Sequence, residues 1–352
     1  MTRGIASGKV ILFGEHAVVY GVPALAVGIE RGASAESANA NASASTLHVR
    51  EWNVTVDDAA GRDDGSERAP LARAFGDLIL ATRDAQRAAG QAPVGVVSLD
   101  ASADLPPGGG LGCSAALGVA VARALDPSAA DEAIAARVMA WERVFHGNPS
   151  GIDAAVSALG GCVFFQRDVT TADAPARQDR IERVRVPAPM NLCIGHSGQS
   201  SSTKSMVEAV ARMRDRRPET TQKTFDAIHT LVKNARLAIE DGDLRAVGQL
   251  LDLNQMLLSG LFVSTPEIEQ MCGTARSAGA VGAKLTGAGG GGCVVALVDS
   301  AERGEGVLAA WKAEGFEGFA TTVRAEKSAA ANLDGLRDIL AKLHQRAHAG
   351  SP

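Results

Sequence analysis

Apolar positions along the chain fall into short extended runs and longer runs with helical spacing. Residues 9–13, Lys-Val-Ile-Leu-Phe, are apolar and β-branched after the lysine. Gly14 and Gly21 punctuate the next segment, so a strand, a turn and a second extended stretch are expected. The Ala-, Ser- and Asn-rich stretch 33–45 and the charged stretch 57–68 predict polar strands joined by exposed loops. Phe75, Leu78 and Ile79 begin a helical period that predicts a helix over 71–89, stopped at Gly90. Residues 94–99 read as a strand and 104–112 as a Pro-Gly loop. The run 113–125 is an Ala/Val/Leu helix apolar on nearly all sides, so the loop delivers the chain into the N-terminus of a buried helix. A helix over 131–145, a loop over 146–151, a helical turn begun by Asp153 and a strand over 162–166 complete the first half.

Pro187 and Pro189 mark the expected domain boundary, giving domains 1–188 and 189–352. Beyond it the pattern predicts a strand over 191–195 and helices over 203–216, 219–240, 244–259 and 266–278. Thr265 and Pro266 supply an N-cap and an N1 proline for the last of these. Then come a strand over 281–285, a glycine run 287–292, a strand over 293–298, a helix over 301–313 and a strand over 320–323. A final helix carries Leu333, Leu336, Leu340 and Leu343. Strands and helices mix without a strict βαβ rhythm, so the expected fold class is α+β rather than a doubly wound sheet.

Composition narrows the function. The chain has 352 residues, 46% hydrophobic and 21% charged, which excludes disordered and fibrous classes. A net charge of -5 offers no overall attraction to nucleic acid or anionic membranes, so neither is expected as a partner and any phosphate must be held locally. Five scattered cysteines, Cys113, Cys162, Cys193, Cys272 and Cys293, never show a C-x-x-C spacing. Neither a disulfide framework nor a zinc site is suggested. With no signal-peptide pattern at the start and no apolar run of spanning length, the expected location is cytoplasmic.

The loops carry the chemistry. Pro106, Pro107, Gly108, Gly109, Gly110, Leu111, Gly112, Cys113 and Ser114 run from a proline pair through four glycines into the buried helix. Glycines let backbone N–H groups approach an anion, the helix adds its dipole and free donors, and Ser114 offers a hydroxyl suited to Mg²⁺. Such a loop can cradle a triphosphate, yet it lacks the lysine of a Walker P-loop. The second glycine cluster, 287–292, satisfies G-x-G-x-x-G but leads into a strand, so a dinucleotide site is rejected. It is either a permissive turn or a backbone wall against the first loop. Glu142, His146, Asn148, Ser150 and Asp153 could supply the carboxylates that phosphoryl transfer to an alcohol needs, or could be ordinary helix-end residues. Lys9, Glu15 and His16 bracket the first strand, where a lysine could stabilise an alkoxide and the other two could bond a polar substrate. Arg167, just past a strand, could grip a carboxylate or face water. Arg212, Arg214, Arg216 and Arg217 read most simply as a solvated helix end, the lesser alternative being guidance of anionic ligands, and are assigned no site.

In combination these segments resemble the three motifs of the galactokinase, homoserine kinase, mevalonate kinase and phosphomevalonate kinase (GHMP) superfamily, in order along nearly the whole chain. The mevalonate kinase branch is the most similar, above all in Glu142-Arg-Val-Phe-His146-Gly147-Asn148-Pro149-Ser150-Gly151-Ile152-Asp153. The resemblance implies ATP- and Mg²⁺-dependent phosphorylation of the C5 hydroxyl of mevalonate. It places Ser114 and Glu142 as metal ligands, Asp153 as the catalytic aspartate, Lys9 as its partner at the reacting oxygen, and Glu15, His16 and Arg167 against mevalonate. It gives the glycine loop to the ATP phosphates and admits a homodimer. It also implies an N-terminal domain like domain 2 of ribosomal protein S5, with a left-handed βαβ crossover, and a ferredoxin-like C-terminal domain. Two departures stand out: Cys113 replaces the usual first serine of the loop, and Ala154 follows Asp153 where a side-chain amide is common. Another kinase of the superfamily, or a nucleotide-binding sensor on the same scaffold, is the alternative.

Overall fold

The computed structural model describes residues 1–58, 66–106, 109–147, 149–169, 179–199 and 202–325. The expected terminal helix with Leu333 to Leu343 lies outside them, as do Pro107, Gly108 and Asn148. The described residues form two sheets with helices packed on them, an α+β fold.

The first sheet is built on β1 (Thr2–Phe13) and β2 (Ala24–Asn39), which pair antiparallel along almost their whole length. β2 is long enough to serve two neighbours on its other edge. Its first residues pair with β6 (Cys162–Gln166) and its last with β5 (Val97–Ala103). Beyond β5 lie β3 (Thr46–Val49), parallel to it, and β4 (Val54–Asp57); β7 (Arg180–Val184) closes the other side. Helices α1 (Ala69–Ala88), α2 (Cys113–Leu125), α3 (Asp131–His146) and α4 (Ile152–Leu159) belong to this half. The second sheet is antiparallel, in the order β11-β8-β10-β9, from β8 (Met190–His196), β9 (Gly282–Thr286), β10 (Cys293–Val298) and β11 (Glu317–Val323). Between β8 and β9 come α5 (Thr203–Arg216), α6 (Pro218–Asp241), α7 (Leu244–Gly260) and α8 (Pro266–Ser277), and α9 (Ala301–Ala313) precedes β11. Treating α5–α8 as one crossover, this is the β-α-β-β-α-β order of a ferredoxin-like sheet.

α2 shows why the helix is central. Eleven of its thirteen residues are buried, as expected for a sequence without a polar face. Gly118 lets the Trp141 ring of α3 lie directly on it, for an added Cβ would stand 3.0 Å from Trp141 Cδ1. Close approach of α2 and α3 sets the spacing of the polar residues that the two helices carry.

Sequence expectation and structure differ at four places. β1 begins seven residues before the apolar run, because the small and polar residues 2–6 pair with the second half of β2. β5 starts at Val97 rather than Val94: the Val94 N–H donates to Gln86 Oε1 at 2.8 Å, and Arg83 holds the carbonyls of Val94 and Gly95, so α1 claims that backbone before a strand can. β7, unforeseen, is a charged edge strand, Arg-Ile-Glu-Arg-Val, whose polarity hides its pairing and guards the edge. The stretch after Gly14 is not extended at once, since Ala17–Tyr20 forms a single 3₁₀ turn.

Candidate active site

β1 carries Lys9 to the N-terminus of α2, where its backbone N–H donates to the Leu111 carbonyl at 2.9 Å. Its side chain runs beneath Gly112, the residue that opens α2 with φ of 72°. An added Cβ there would lie 2.8 Å from Lys9 Cγ, so both backbone conformation and space call for glycine. The lysine is 3% exposed, and its ammonium pairs with Asp153 Oδ1 at 3.1 Å. Asp153 sits in the first turn of α4, begun at left-handed Gly151, with 30% of its side chain exposed. Its carboxylate therefore meets a buried cation on one side and solvent on the other.

On α2, Ser114 Oγ donates to Glu142 Oε1 at 2.7 Å, and the Trp141 indole donates to Ser114 Oγ at 3.2 Å. Glu142 is 2% exposed. Burial and the nearby negative charge of Asp153 push its carboxyl up to about 7, with the Ser114 hydrogen bond and Lys9 offsetting part of the rise. One turn further along α3, His146 Nε2 lies 3.6 Å from Glu142 Oε2, and burial lowers the imidazole pKa. One ammonium thus faces two carboxylates, a balance that favours an added cation. Ser114 and Glu142 are hard oxygen donors side by side, a fit for Mg²⁺, which takes few protein ligands and fills the rest of its shell with phosphate and water. Among the described residues no cluster of three or more His, Cys, Asp or Glu could hold a metal by itself.

The second glycine run answers both readings left open by the sequence. It joins the antiparallel pair β9 and β10, and it also lies backbone to backbone against the first loop. A Cβ on Gly287 would stand 3.3 Å from Gly110 Cα, and one on Gly110 would stand 3.3 Å from the Thr286 carbonyl. Side chains on either loop would separate them. Cys113 and Cys293 flank this contact as neutral thiols, burial raising their pKa values to about 11 and about 12. Beside the loop opens a cavity of about 1130 Å³, with Trp52, Asp104, Pro106, His196, Phe316 and Phe319 among its walls.

Glu15 and His16 occupy the turn after β1, both buried. His16 holds a left-handed φ of 61°, rare for a non-glycine residue, and its Nε2–H donates to the Ala288 carbonyl at 2.8 Å. Burial lowers its pKa. Both Glu15 oxygens have partners inside the protein: Oε1 meets the Lys284 ammonium and Oε2 accepts from Asn254 Nδ2 at 3.1 Å. Arg167 stands half-buried just past β6, its carbonyl near Gly21. The sequence reading missed Lys284, Asn254 and Trp141. A lone lysine between apolar neighbours at 283 and 285 was the available signal for the first. Arg214, read as part of a solvated helix end, is exposed and lies 4.5 Å over the Tyr20 ring, while Tyr20 stacks on Phe225.

Comparison with known proteins gives the family. Residues 77–161 match the GHMP kinases N terminal domain and residues 235–317 match GHMP kinases C terminal. Mevalonate kinase of Pyrococcus abyssi is 33% identical over 315 residues, covering 85% of this chain and 89% of that protein. The chain belongs to the mevalonate kinase family. Its eukaryotic relatives include the mevalonate kinase of Schizosaccharomyces pombe, 30% identical with 83% of this chain and 81% of that one covered. Among solved structures, L. major mevalonate kinase in complex with R-mevalonate superposes with a TM-score of 0.74 at 27% identity, over 93% of this chain and 97% of that one. Lactococcus lactis galactokinase, at 19% identity and a TM-score of 0.68, shares the fold. Among the described residues no helix is long and apolar enough to cross a membrane.

Proposed function

We propose that this protein transfers the γ-phosphoryl group of ATP to the C5 hydroxyl of mevalonate, giving 5-phosphomevalonate and ADP. The observation that carries the reading is the Lys9–Asp153 pair, 3.1 Å apart and set beside the Ser114–Glu142 pair at the mouth of the glycine loop. The free N–H groups at the start of α2 and the backbone of the glycine loop cradle the phosphates, and the cavity beside Pro106 takes the nucleoside. Ser114 and Glu142 would hold Mg²⁺, which supplies charge neutralisation at the β- and γ-phosphates when bound.

The acceptor hydroxyl lies between Asp153 and Lys9. Asp153 orients it and takes its proton as the O–P bond forms, and Lys9 compensates the negative charge on the oxygen. Because the transition state is loose, an early strong base is not required, and an aspartate carboxylate suffices. Arg167 and His16 line the acceptor side, the guanidinium being suited to the mevalonate carboxylate.

Replacing Asp153 by Asn or Ala tests the assignment. Turnover is expected to fall by at least about two orders of magnitude, the usual loss for an acid-base or electrostatic group, with ATP binding retained in calorimetry. A folded Asp153→Ala protein with near-normal turnover would remove the aspartate from the mechanism.

A further inference from the structure

Lys284 is fully buried on β9, 269 positions in sequence from the carboxylate it meets. Its ammonium donates to Glu15 Oε1 and the Leu285 carbonyl and lies 3.5 Å from the Ile11 carbonyl. Two residues on, Thr286 Oγ1 donates to the Ile11 carbonyl at 3.1 Å and accepts from the Ile11 N–H at 3.0 Å. Two further on, the Ala288 carbonyl takes the His16 hydrogen bond. Lys284 and Thr286, which share a face of β9, and Ala288 in the turn that follows thus each fasten this half to residues 11–16 at the end of β1 and the turn after it. From α7, Asn254 joins through Glu15 Oε2, and its own Oδ1 is buried with no hydrogen-bond partner. The amide is turned to serve Glu15 and leaves its acceptor unmatched.

A buried ion pair adds little net stability over an apolar pair of the same volume, so its value is in fixing geometry. What lies next to this pair is His16, on strained backbone at the acceptor side. We propose that Lys284 is a positioning residue that acts through Glu15 to hold the Gly14–His16 turn, and with it the acceptor subsite, against the glycine hairpin. The proposal rests on the kinase reading of the site. Glu15 then serves the substrate indirectly, as one half of a clasp between the sheets.

The test compares the full chain with Lys284→Met, Glu15→Gln and the double variant. For folded Lys284→Met, the mevalonate KM rises about tenfold, the order expected for a lost charge-assisted hydrogen bond, while the ATP KM stays within about twofold. The double variant shows the same rise as either single one, because an opened clasp leaves the second change nothing to undo. A wild-type mevalonate KM in Lys284→Met, an ATP KM rising in step, or multiplying effects in the double variant would overturn the proposal. If Lys284→Met alone does not fold, the double variant, free of a lone buried charge, decides by the same KM comparison. Imidazole NMR reads the clasp without turnover: the His16 Nε2–H signal is protected in the wild type and lost in the variants. Its retention in the double variant would overturn the clasp, whereas a wild-type protein inactive on mevalonate would instead overturn the functional reading.

Discussion

His16 combines burial, a left-handed backbone and one hydrogen bond to the opposite sheet, and each has a measurable consequence. Burial holds its folded-state pKa below the ordinary 6.5, a value the unfolded chain regains. Between the two values the unfolded state binds more protons, so this contribution to stability is complete above about pH 6.5 and is lost as the pH falls. Urea midpoints at pH 7.5 and 5.5 should therefore drop further in the wild type than in His16→Gln. Equal drops would show that the imidazole stays accessible. Glu142 runs the opposite way: its carboxyl is raised to about 7, so ionising it opposes folding as the pH rises from the ordinary glutamate range. At this scale the sequence displayed Lys9, Ser114, Glu142 and Asp153, because each belongs to a dense local motif. It concealed Lys284 and Asn254, whose meaning depends on Glu15, a contact 269 and 239 positions away.

Elements were legible wherever a local period or a cap decided them. The bounds of α2, α5, α9, β6 and β10 coincide with their sequence readings, since a Gly or Ser marks each start and apolar spacing gives way to polar residues, Gly or Pro at each end. β7 and the true start of β5 were not legible, one being a polar edge strand and the other set by side chains of α1. The loop into α2 makes its own prediction. Gly112→Ala combines a left-handed backbone with a clash against Lys9, so it should cost about 1–3 kcal/mol and lower kcat by displacing the lysine. Gly90→Ala, with φ of 70° and nothing within 4 Å of the added carbon, should cost only the strain and leave kcat unchanged. Similar kcat values for the two variants, measured beside their urea midpoints, would mean that Gly112 is a turn residue and nothing more.

Across the whole molecule the two sheets are fastened at separate places. Ile11 meets Thr286, the Glu30 N–H donates to Thr321 Oγ1 at 3.2 Å, and Arg31 lies 4.0 Å over the Phe319 ring. These contacts tie β1 and β2 to β9 and β11, so thermal unfolding should give one transition in calorimetry. Two resolved transitions would show that the halves unfold independently. Pro187 and Pro189 mark an expected boundary in the sequence, but the fastenings between the two sheets pair residues hundreds of positions apart and leave no local trace. Lys9 beneath Gly112 ties the first glycine loop to Asp153, and the His16 bond to Ala288 ties the Gly14–His16 turn to the second glycine run; the functional reading depends on these meetings. Its most direct test is ADP release from Mg-ATP by the purified protein with mevalonate, run beside phosphomevalonate, homoserine and galactose. The account predicts rapid release with mevalonate alone; turnover on another acceptor without mevalonate, or none on any of the four, would contradict it.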